Sequence, residues 1–216
     1  MNQKMMIVAG ALCGLFGAGA VQAKPVEHIV FHDDTGIVDY DSSTPIDCGG
    51  GVSSVLFSHI TINGFQTMNK NNETGVNHSN TLIPVIFQQD GCTGSFVFGS
   101  GQLDGGYTQQ ALQTGTFLGT VTIIDFFTGL SDGTATVNMT ITGSGPVTTG
   151  NQHFRFSVSS PNGPLIETVH DNNKSINATV TGTLTFNGVP IPLPTPDLIF
   201  SQLGVSKSGS MQLDTK

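Results

Sequence analysis

Between residues 175 and 188 the chain reads SINATVTGTLTFNG, and apolar and polar positions alternate without a break. Ile176, Ala178, Val180, Gly182, Leu184 and Phe186 fall on one side, and Asn177, Thr179, Thr181, Thr183 and Thr185 on the other. A period of two is the signature of a strand with one core face and one wet face. Asn187-Gly188 follows, a pair that tolerates positive φ and so predicts a tight turn. The same rhythm returns in TATVNMTIT, where Ala135, Val137, Met139 and Ile141 point one way, and in HFRFSVS, where Phe154, Phe156 and Val158 are expected to face inward.

Shorter runs at 28–32, 52–62, 82–88, 95–99, 117–127, 165–170, 198–206 and 210–213 add further strands. Between them TGLSDGT, GSGP, SPNGP and DNNKS carry turn chemistry. VPIPLPTP places Pro190, Pro192, Pro194 and Pro196 at every second position; prolines cannot donate to a central ladder, which predicts an extended edge segment. No run of ten or more residues beyond the N-terminal segment carries a helical stripe. The pattern predicts an all-β chain of about ten to twelve strands, an antiparallel two-sheet β-sandwich, with a partly closed β-barrel as the alternative.

The N-terminus changes the picture of where the chain resides. Lys4, an apolar run from Met5 to Ala20 and the small-residue site Val21-Gln22-Ala23 have the organisation of a secretory signal peptide. Residues 1–23 are therefore expected to be cleaved, leaving residues 24–216 as a single all-β domain, periplasmic or secreted, without a membrane span in the mature chain. That mature chain holds six basic residues against fifteen acidic ones. Such a surface suits no phosphate backbone, so nucleic acid is not an expected partner. An outer-membrane barrel is equally disfavoured, because Trp is absent, Tyr occurs twice, and threonine and asparagine line the face opposite the core.

Cleavage leaves two cysteines, Cys48 and Cys92, and an even pair in an exported protein predicts a disulfide. Closing a loop of about 45 residues contributes about 4 kcal/mol in the chain-entropy treatment. Two free thiols are the alternative, although no Cys-x-x-Cys spacing exists. HDDTGIVDYD concentrates acids, and Asp33, Asp34, Asp39 and Asp41, with Asp47 behind, have the oxygen chemistry that calcium needs. The spacing lacks the EF-hand pattern, and the simpler expectation is a turn at Asp33-Asp34-Thr35-Gly36. Calcium is the one cofactor the sequence suggests.

His28 and His32 stand about 13 Å apart along a strand, too far to share one zinc ion. His59, His78, His153 and His170 are scattered in sequence. No G-x-S-x-G elbow occurs, and no pair among the acids is singled out for glycoside chemistry, so no catalytic residue is assigned. Asp125 interrupts an apolar run, which points to a structural role. Arg155 belongs to a wet face, where Glu167 or Asp171 would make a surface pair of at most about 1 kcal/mol. Five Asn-x-Ser/Thr triplets, at Asn72, Asn77, Asn138, Asn173 and Asn177, matter only in a host that glycosylates exported proteins.

These features favour a non-enzymatic envelope or extracellular protein that binds a protein or glycan partner or assembles at the cell surface. TGIVDYDSSTPIDC leading to one cysteine and LIPVIFQQDGC to a second resembles a fimbrial subunit. That resemblance implies cysteines joining neighbouring strands and assembly by strand donation. The C-terminal GVSKSGSMQLDTK departs from it by lacking an aromatic ending. A carbohydrate-binding or carbohydrate-active sandwich is the other alternative, weakened by the absence of Trp for stacking on sugar faces.

Overall fold

The computed structural model describes residues 25–71, 75–160, 163–193 and 200–215. Among them the regular structure is entirely strand: β1 (Pro25–Gly49), β2 (Val52–Asn71), β3 (Gly75–Asp90), β4 (Phe96–Ser100), β5 (Leu103–Asp104), β6 (Tyr107–Gln110), β7 (Thr114–Asp125), β8 (Ser131–Ser160), β9 (Gly163–Phe186), β10 (Val189–Ile191) and β11 (Phe200–Thr215). The proposed signal peptide, Pro194 and Pro196 lie outside the described residues.

Every ladder is antiparallel. They run β1–β2–β3–β4–β7–β8–β9–β11 and return to β1, so the strands form a ring. The β4–β7 seam is narrow, with only Gly99 opposite Asp125 and Ser100 opposite Ile124. Inside the ring β6 packs against β1, β2 and β3, which gives the core two facing layers. The all-β antiparallel expectation holds, and this arrangement fits both the sandwich and the partly closed barrel.

The alternation predicted from sequence places the core. On β8, Ala135, Val137, Met139 and Ile141 are buried; on β9, Ile176, Leu184 and Phe186 are buried, with Ala178 and Val180 packed beside them. β1 contributes Val38 and Tyr40, β2 Ile60 and Ile62, β3 Leu82 and Ile86, and β7 Phe117, Val121 and Ile123. Tyr107 of β6 is fully buried and needs room: Gly36 and Gly64, cross-strand partners on β1 and β2, supply it by having no Cβ. The Asn187-Gly188 turn forms as expected, with φ of 51° and 77°, and β10 is the edge strand that carries Pro190.

Four expectations are overturned. No turn interrupts Asp33–Gly36, because β1 is continuous and paired to β2 and β11 across those residues. GSGP is a register shift within β8 rather than a turn between strands, and DNNKS runs straight through β9 opposite Thr148–Gln152. Phe154 and Phe156 are exposed, since that part of β8 extends past the core and residues 151–157 meet solvent on both faces. The ladder hydrogen bonds of a paired neighbour override local turn propensity at these sites.

Candidate functional site

The outer face near one end of the ring is aromatic. Even-numbered residues of β2 and β3 fill the core, so Phe57 and Phe87 turn outward; on β4 the inward residue is Val97, which leaves Phe96 and Phe98 outside. Phe126 and Phe127 extend the surface from the β7–β8 turn. The six rings are linked: Phe57 to Phe87 at 6.2 Å, Phe87 to Phe98 at 6.2 Å, Phe98 to Phe126 at 4.8 Å and Phe96 to Phe127 at 6.4 Å between centroids. Those four contacts are edge-to-face, with interplanar angles of 61°, 71°, 66° and 85°. Phe96, Phe126 and Phe127 remain 57%, 53% and 73% exposed, and Leu130 beside them 69%.

Two aspartates hold this surface rigid. Asp90 Oδ1 accepts from the backbone N–H of Cys92 at 2.7 Å and of Thr93 at 3.1 Å. Asp125 Oδ1 accepts from Phe127 N at 2.9 Å and Thr128 N at 2.5 Å. Bonds to Thr93 and then Cys92 hold the Asp90 carboxyl below its ordinary range, and bonds to Thr128 do the same for Asp125. Asp125 is thus the cap of the turn that presents Phe126 and Phe127. Cys48 and Cys92 form the predicted disulfide, which ties the end of β1 to the β3–β4 turn at the same end of the ring.

The four aspartates proposed for calcium are not brought together. Asp34 is buried on the inner face of β1, whereas Asp39 and Asp41 lie on the opposite side of the strand, beside His59 of β2. His59 Nδ1 is 2.8 Å from Asp41 Oδ1, its Nε2 is 3.6 Å from Asp39 Oδ1, and Thr61 donates to Asp39 at 3.2 Å. Among the described residues no three His, Cys, Asp or Glu side chains are grouped to hold a metal ion.

A second site opens toward the other end of the core. A cleft of about 650 Å³ is lined by His32 and Asp34 of β1, Leu112 and Gln113 of the β6–β7 turn, and Asn172 and Lys174 of β9. Asp34 is 6% exposed, with its Oδ1 shut away from solvent. His32 Nε2 pairs with that oxygen at 3.1 Å. Burial holds the Asp34 carboxyl above its ordinary range, against the pull of His32 in the other direction. Tyr107 behind it is pushed up by burial and by Asp34, and its hydroxyl donates to Gln109 Oε1.

The remaining sequence candidates are dispersed. Arg155 is exposed and stands opposite Thr168; the side chains of Glu167, Asp171 and His28 lie outside the described residues. His153 and His170, unrelated in sequence, form a stacked cross-strand pair with centroids 4.2 Å apart. Among the described residues no helix is long and apolar enough to cross a membrane. Comparison with protein-family models, with curated proteins and with solved structures finds no match for this chain.

Proposed function

We propose that the protein is an exported, non-enzymatic assembly protein whose copies associate through the aromatic face. The observation that carries this reading is the set of six linked phenylalanines on a rigid outer sheet surface, three of them more than half exposed. Phe96, Phe126, Phe127 and Leu130, with the partly covered rings around them, expose on the order of 600 Å² of apolar surface, counting each aromatic side chain at about 200 Å². That is the upper end of what a soluble monomer leaves bare, and it approaches the roughly 800 Å² per partner of a standard interface. A disulfide in this end of the molecule accords with export to an oxidising compartment.

The edge-to-face tilt of the rings favours a protein surface over a glycan. Sugars stack on flat aromatic faces; four of the six ring pairs here are inclined by 61° to 85° and the other two by 30° and 49°, so most neighbours offer alternating faces and edges that suit interdigitation with other side chains. β1 is paired on both sides as far as Asp39 and with β2 alone beyond it, and association through the aromatic face does not draw on that edge. Asp39, Asp41 and His59 lie on the same outer side, so two such faces meet with like-charged rims and should associate better as salt screens them.

Sedimentation velocity of the disulfide-intact exported chain over a range of concentration and salt tests the reading. Reversible association that strengthens with salt and is lost in the double variant Phe96→Ser, Phe127→Ser, with an unchanged circular dichroism spectrum, is expected. A chain that stays monomeric throughout, or a double variant that associates as well as the parent, would overturn it.

A further inference from the structure

The sheet β3–β2–β1–β11–β9–β8 runs on past the core, and the face it turns toward the core continues with it. Cross-strand partners share a face, and one ladder row there reads Val76–Lys70–Val30–Ser210–His170–His153. Parity agrees: Val38 of β1, Ile62 of β2 and Leu82 of β3 are buried, so the even-numbered Val30, Lys70 and Val76 lie on the same side of their strands. A second row, Asn80–Gln66–Asp34–Val205–Lys174–Thr149, adds Lys174 to this face, and Arg155 follows two residues beyond His153 along β8.

Charge is sorted by this arrangement. Among the described side chains every Lys and Arg belongs to the face, namely Lys70, Lys174 and Arg155, and all three are exposed. Its one acid among the described side chains is Asp34, at the foot, where His32 Nε2 pairs with it at 3.1 Å. Asp39, Asp41, Asp90 and Asp125 belong instead to the outer side or to the aromatic end. A cationic face on a chain of net charge −8 creates a local field that selects anions.

We propose that this face binds an anionic polysaccharide, a carboxylate-bearing chain laid across the strands. Lys70 and His170 are three strands apart in one row, about 14 Å at about 4.8 Å per strand, and Lys174 is about 13 Å from His170 along β9. Cations at that spacing match charges repeated along an extended chain better than one compact anion. His153 and His170, exposed and stacked at 4.2 Å, add ring N–H donors, while Asn151, Asn172 and Thr149 carry the amide and hydroxyl groups that pair with sugar hydroxyls. Phe154 and Phe156 have the opposite parity, so no Phe, Tyr or Trp among the described residues of this extension is placed to stack nucleic-acid bases.

The test is calorimetric titration of the full exported chain with oligogalacturonate. Its methyl ester serves as the uncharged chain, and polyglutamate and single-stranded DNA as other polyanions. Saturable binding of oligogalacturonate, loss of binding on esterification and weaker binding of the other polyanions are expected. Arg155→Gln, Lys70→Gln and Lys174→Gln should each lower affinity about two- to fivefold, the scale of one exposed ion pair. The triple variant, its fold verified by circular dichroism, should lose measurable binding. Added salt should weaken this binding, opposite to its effect on self-association, and the double variant Phe96→Ser, Phe127→Ser should bind as the parent does, so the two readings fail separately. Absence of saturable binding, equal binding of the ester, polyglutamate or DNA bound as tightly, or full affinity in the folded triple variant would each overturn the proposal.

Discussion

Substituting Gly64 by alanine puts the packing of the core to a test of sign. Gly64 lies in β2 opposite Gly36, and a Cβ added there would meet Tyr107 Cγ and Cδ2 and Phe117 Cε1 at 2.5 Å each. Those are ring atoms of two fully buried side chains, which cannot swing aside into solvent. In an open strand position, glycine to alanine stabilises by about 0.5–1 kcal/mol, because alanine has less freedom to lose on folding. Overpacking a tight core costs about 1–3 kcal/mol. Gly64→Ala should therefore destabilise by about 1–2 kcal/mol net, while Gly150→Ala, which meets nothing within 4 Å, should be neutral or stabilising. Urea unfolding followed by circular dichroism measures both. Truncating Tyr107 to alanine leaves a cavity and is costly by itself, but in that background much of the Gly64→Ala penalty should vanish. A Gly64→Ala variant as stable as Gly150→Ala, or a penalty unaffected by removal of the Tyr107 ring, would refute the two-layer packing of β6 against β1 and β2.

Two other outcomes follow from the aromatic end. Replacing Cys48 and Cys92 by serine should cost about 4 kcal/mol, less whatever order the unfolded chain retains, and reductant should lower the urea midpoint of the parent but not of the variant; equal midpoints for both would remove the disulfide from the stability of the fold. Asp125 has a folded pKa held below its unfolded value, so its capping contribution is present above the ordinary carboxylate range and is lost as pH falls through the lowered value. Asp125→Ala should lower the thermal midpoint near neutral pH and lose that difference in strong acid, whereas Asp125→Asn, which keeps an acceptor for Phe127 N and Thr128 N, should lose less; an identical deficit at both pH values would show that the carboxylate is not the cap.

Local pattern was a good guide where each strand met one core face and one wet face. Thr134–Thr142 and Ser175–Phe186 are such segments, and their inward residues are those that alternation predicts, except Gly182, which is exposed. Phe154 and Phe156 also alternate with polar neighbours, but alternation gives parity alone, and no second layer covers that part of β8. GSGP and DNNKS carry turn residues, yet their backbone groups are taken up by the β8–β9 ladder, a contact between segments about thirty residues apart that composition does not reveal. The aromatic face had a signal of its own: Pro84, Val85, Ile86 and Phe87 are apolar at both parities, so one set must lie outside the core. What sequence could not supply was the joining of β2, β3, β4 and the β7–β8 turn. The cleft is harder still, since it joins residues near 33, 112 and 173.

The size of the aromatic face also sets the character of the assembly. Two copies meeting through on the order of 600 Å² each would bury about 1,200 Å² in total, at the lower limit of specific interfaces and typical of transient ones. Association must also offset several kcal/mol of lost translational and rotational freedom before any affinity remains. The rim adds an acidic cost, because Asp39 and Asp41 accompany the phenylalanines and the whole chain carries a net charge of −8. The turns, however, enter the contact already braced: Asp90 and Asp125 cap them, and Cys48–Cys92 ties the adjoining strand ends. Less loop entropy is then left to lose on docking, which preserves binding free energy that an uncapped loop would forfeit. A rigid, modest apolar face with a repulsive rim therefore yields association that is reversible in dilute solution and becomes extensive where copies are concentrated or screened by salt. This concentration dependence separates the proposed assembly from a permanent oligomer, whose larger and more continuous apolar interface would survive dilution.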